Sequence, residues 1–101
     1  MLELIAILWA IAATLQLIYI ILLTFDAIVQ FFHERVYLKN RSKSNIAFSL
    51  QEKLNSGKYN TVYGIFDKSS NEILDAKNVQ SNQVDSQIAN NHAYEELCVY
   101  N

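Results

Sequence analysis

The stretch Leu4-Ile-Ala-Ile-Leu-Trp-Ala-Ile-Ala-Ala-Thr-Leu-Gln-Leu-Ile-Tyr-Ile-Ile-Leu-Leu-Thr-Phe25 decides how the rest of this chain reads. Its 22 residues carry no charge. Wound as one helix at about 1.5 Å per residue it reaches roughly 33 Å, enough to cross a hydrocarbon layer of about 30 Å. A buried helix in a small globular domain usually keeps a polar stripe, and this run has none. The expected fold class is therefore a single-pass transmembrane α-helix followed by a small α+β domain.

Charge is unevenly spread over the 101 residues. Residues 1–32 contain only Glu3 and Asp26 as charged side chains, residues 33–58 sum to +4, and residues 59–101 to −4. Blocks of this kind predict three parts. Residues 1–38 read as a transmembrane helix with an amphipathic juxtamembrane extension. Residues 39–58 read as a basic segment with a short amphipathic helix, and residues 59–101 as an acidic α+β head. A head of about 43 residues is near the lower size limit for folding alone.

The opening Met-Leu-Glu lacks the basic start of a cleavable signal peptide, and the apolar run exceeds the usual 7–15 residues. Arg35, Lys39, Arg41 and Lys43 follow the apolar run. The positive-inside rule then predicts a short N-terminus outside and a cytoplasmic C-terminal domain. Phe31, Phe32 and Tyr37 are the expected aromatic anchors, and Arg35, Lys39, Arg41 and Lys43 the expected contacts to anionic lipid headgroups. Glu3, Ala6, Ala10, Ala13 and Thr14 share one helical face, with Ala6, Ala10 and Thr14 in small-xxx-small spacing. Together with Gln16, an amide at mid-depth, they form the expected face for a membrane-protein partner or a second copy of the chain.

Beyond the basic stretch, Ile46, Ala47, Leu50 and Leu54 recur at helical spacing, and Gly57 sits where a helix C-terminus belongs. Tyr59–Phe66 is rich in β-branched and aromatic residues and predicts a strand. A polar turn over residues 67–72 leads to an antiparallel partner over 73–79. Gly64 marks a bulge or a close contact. Asn82 and Asp85 open a helix through Ala93 with Val84 and Ile88 inward, and residues 96–100 close the chain as a third strand. The expected head is αββαβ, a three-stranded sheet with helices on one face.

The residue types of an active site are sparse. Cys98 is the single cysteine, which excludes an intramolecular disulfide and a multi-cysteine metal site. His33-Glu34 lacks the second histidine of a zinc-protease motif, since position 37 is Tyr37. His92, Glu95, Glu96 and Cys98 lie close together but have no recognised ligand spacing. Two glycines cannot build a phosphate loop. The aromatic part is acidic, which argues against nucleic-acid binding. No catalytic residue, metal or cofactor is expected. The favoured role is a non-catalytic accessory or anchoring subunit, with a self-associating pore-forming or holin-like protein as the alternative. An enzyme or sensor built on His92 and Cys98 is a weaker third.

Overall fold

The uncharged run does not form one helix. In the computed structural model, which describes residues 2–100, it divides into helix α1 (Leu2–Ala12) and strand β1 (Leu17–Leu23). The break lies in Ala13-Thr14-Leu15-Gln16. There the Ala13 and Thr14 N–H groups donate to the carbonyls of Trp9 and Ile11, and the Thr14 hydroxyl donates to Ile11 O at 2.6 Å. These bonds satisfy the carbonyls that a continuing helix would have used. Past the turn, Ile18, Tyr19, Ile20 and Ile21 are β-branched or aromatic and favour a strand.

No helix among the described residues is long and apolar enough to cross a membrane. The single-pass helix, its juxtamembrane extension and the outside-to-cytoplasm topology are thereby corrected. At 11 residues, α1 extends only about 16 Å. The pore-forming alternative loses the spanning helix on which it rested.

After β1, the Thr24 hydroxyl accepts from the Ala27 N–H and caps α2 (Phe25–Glu34). A short α3 (Val36–Asn40) follows, then β2 (Asn45–Lys53), β3 (Tyr59–Asp67) and β4 (Glu72–Val84). Helix α4 (Ser86–Asn91) and β5 (Leu97–Tyr100) complete the chain. The sheet has five strands in the order β1-β4-β3-β2-β5, with β1 parallel to β4 and the other pairs antiparallel. Strands from all three expected segments enter it.

The short helix expected around Ile46–Leu54 is instead β2. Ile46, Phe48 and Leu50 satisfy a period of two as well as a helical stripe, and nine-residue pairing with β3 selects the strand. The expected three-stranded sheet with helices on one face becomes a five-stranded mixed sheet covered on both. On one face Leu8 and Ala12 of α1 pack over Phe48, Leu50, Val62, Phe66 and Leu97. On the other, α2 and α4 bury Ile28, Phe31 and Ile88 against Leu23, Tyr63 and Val79, while Leu38 of α3 meets Ala47 and Ile65. Within the expected head, the strand after Tyr59 and the last strand occur where expected, whereas the hairpin partner runs on through Asn82 to Val84, and the helix that follows is shorter, Ser86–Asn91, with Asp85 rather than Asn82 as its cap. A side chain at Gly64 would collide with the Asp75 carbonyl and with Ala76, and the β3–β4 register shifts beside it, between Ile65 and Phe66.

Candidate functional site

Three places on this fold could do chemistry or bind a partner. The first is a polar cluster beneath β5. The Glu95 carbonyl can only accept, so His92 Nδ1, 2.9 Å away, carries the proton. His92 Nε2 is then the acceptor for the Ser49 hydroxyl at 2.8 Å, and the Tyr100 hydroxyl donates to Ser49 Oγ at 2.7 Å. Burial pushes the His92 pKa down, which keeps the imidazole neutral.

A hydroxyl donating to an imidazole whose other nitrogen is anchored has the form of a nucleophile–base pair. Here the pair is sealed. Ser49 lies in the middle of β2, has no exposed surface, and its oxygen already receives the Tyr100 proton. The Cys98 thiol donates to Asn91 O at 2.9 Å, and burial raises its pKa. His92 Nδ1 lies 3.7 Å from that sulfur but spends its proton on Glu95, so no thiolate–imidazolium pair forms. The cluster fastens α4 and β5 to β2. Sequence proximity brought His92 and Cys98 together correctly; Ser49 was missed because its segment was read as a helix. Glu96 turns instead toward α1, accepting a hydrogen bond from the Trp9 indole. No group of three or more metal-ligating side chains converges among the described residues.

The second place is an open groove of about 500 Å³ between α2, α3 and the sheet. It exists because β2 offers only Ala47 there. Phe25, Val29, Phe32 and Val36 wall it, Tyr100 lies at one side, and His33 and Lys39 stand among its lining.

The third place is the outer edge of β1. This strand ends the sheet, and its extended contacts run to β4. Tyr19 and Ile21 are 70% and 78% exposed, and Ile18 and Leu22 are 38% and 48% exposed. An edge strand offers a row of unpaired N–H and C=O groups, and proteins usually blunt it with lysine, proline or a bulge. β1 contains no charge and no proline.

The residues of the expected partner face are split. Glu3, Ala6 and Ala10 are exposed on α1, whereas Ala13, Thr14 and Gln16 lie in the turn to β1. Those expected at a lipid surface are dispersed as well. Phe31 is buried edge-on against Tyr63, with ring centroids 5.2 Å apart. The Arg35 guanidinium lies 3.7 Å from the centre of the Phe31 ring, and its Nε donates to Asp75 at 2.6 Å. That carboxylate raises the Arg35 pKa. Phe32 packs on Tyr100, Lys39 lines the groove, and Tyr37, Arg41 and Lys43 are exposed. No protein-family model, curated protein or solved structure matches the chain.

Proposed function

We propose that this chain is a non-catalytic protein-interaction module whose contact surface is the open edge of β1. The observation that carries the reading is the uncharged, unprotected strand Leu17–Leu23, with four large apolar side chains exposed at the end of the sheet. Pairing with another strand would satisfy its outward peptide groups and cover those side chains together. The sealed Ser49–His92 pair and the protonated Cys98 thiol support the non-catalytic part. The accessory role expected from sequence is kept, and its membrane component is dropped.

A photo-crosslinking amino acid at position 21, compared with one at the exposed Asn90 of α4, tests this in the native cell. Discrete adducts from position 21 and none from position 90 are the expected result. No adduct at position 21, or the same adducts from both, would contradict it.

A further inference from the structure

We infer that the groove under α2 and α3 is a binding site for a small amphiphilic carboxylate of the medium-chain fatty-acid class, its alkyl chain along the apolar wall and its carboxylate at Lys39. The groove lies over β5, β2 and β3, across the sheet from the β1 edge, and does not depend on that edge. Its floor is a row of three directly paired residues, Tyr100, Ala47 and Ile65, whose side chains share one face. Alanine between two large side chains leaves the depression. The wall is Phe25, Val29, Phe32, Val36 and Lys39. They are spaced four, three, four and three, a helical stripe kept from α2 into α3 past Arg35. From Phe25 to His33 alone the stripe runs about 12 Å. The volume of about 500 Å³ is therefore drawn out lengthwise, which suits a chain better than a compact ring system.

The two ends of the groove differ. Phe25 and Phe32 lie against the Tyr100 ring, with centroids 5.9 and 5.5 Å from it, and make one end aromatic. His33, at the end of α2, and Lys39 and Asn40, at the end of α3, bring nitrogen donors to the other. Lys39 is half-buried and has no ion-pair partner among the described residues. No carboxylate lines the groove, although Asp and Glu outnumber Lys and Arg in the chain by ten to eight. Of the acidic residues on α2, Asp26 stands in the first turn, farthest from Lys39, and Glu34 faces Arg35 at 3.4 Å. An anion with an apolar body would pair the Lys39 ammonium and cover the wall in one step. The Tyr100 hydroxyl is already engaged with Ser49, so the aromatic end offers no competing polar contact. A peptide laid here would bury its amides against carbon without partners, whereas an alkyl chain has no polar group to satisfy.

Titration of the isotope-labelled full chain with sodium octanoate, below its micelle-forming concentration, reads the site through amide chemical shifts. Octanol and octyltrimethylammonium serve as probes with the same chain and a neutral or opposite head. The expected result is saturable shifts centred on α2, α3 and Ala47 with β1 unmoved, octanoate binding tightest and the cation weakest. Lys39→Glu should weaken octanoate about fivefold or more while leaving octanol within about twofold. A spectrum matching the native one outside α3 establishes that this variant is folded. On the native chain alone, no saturable shift, shifts centred on β1, or octanol binding as tightly as octanoate overturns the inference. Equal octanoate affinity in the folded Lys39→Glu variant overturns it as well.

Discussion

At the scale of single residues, His92 is a group whose charge state near neutral pH the fold constrains. Its pKa is lowered in the folded chain by burial, against an ordinary value of 6.5. The unfolded chain therefore takes up a proton first as pH falls. The stability linked to His92 is complete above that ordinary value and is lost as pH drops toward and through the lower folded value. Tyr100 and Cys98, its titratable neighbours on β5, both have raised pKa values and stay neutral over this range. Asp67, whose carboxyl is held well below the usual range by hydrogen bonds from Ser44 and Ser69, responds only at more acidic pH. Denaturant unfolding between about pH 7.5 and 5 should show the native chain losing more stability than a His92→Gln variant. An identical pH dependence in the two would mean that His92 is not held neutral by the fold. Some of this scale was legible in the sequence. Gly64 as a close approach and a helix start near Asp85 follow from local chemistry, because each acts on the few residues around it, although the cap is Asp85 itself and Asn82 belongs to β4. Ser49 was not legible, since its partners arrive from residues 92 and 100 through a strand pairing that no local pattern announces.

At the scale of elements, β1 is where sequence and structure part. Leu4–Phe25 fits a spanning helix by length and hydropathy, yet it fits a buried helix followed by a strand just as well. An unbroken apolar run has no periodicity to separate the two. The dividing turn contains neither glycine nor proline, the usual punctuation, and only Thr14 and Gln16 mark it. β2 failed similarly, its apolar residues serving either period, whereas β3 held because Tyr59–Phe66 combines β-branched and aromatic residues between polar turns. The strand assignment makes neighbouring positions of β1 unequal. Leu23 is 2% exposed in the core with Ile28 and Val79, while Ile21 stands clear of it. Leu23→Ala should cost about 2–5 kcal/mol of unfolding free energy. Ile21→Ala should change it by no more than about 0.5 kcal/mol. Equal losses from the two would contradict the strand.

At the scale of the whole molecule, the sheet is assembled from distant parts of the chain. Its two edges are β1, near the start, and β5, at the end, and α1 covers the face that contains Phe48 and Phe66. The charge blocks that suggested membrane segment, basic segment and acidic head therefore do not mark separate folding units. Each contributes a strand to the same sheet. The parallel contact between β1 and β4 joins residues about sixty positions apart and has no signature in either segment alone. The most direct test of the fold is therefore the spatial neighbourhood of β1. Nuclear Overhauser contacts in an isotope-labelled sample should place Ile18 beside Val79 and Ile20 beside Ser81, with extended-strand connectivities from Leu17 to Leu23. Unbroken helical connectivities from Leu4 to Phe25, with no contact to residues 78–84, would contradict the sheet edge and everything built on it.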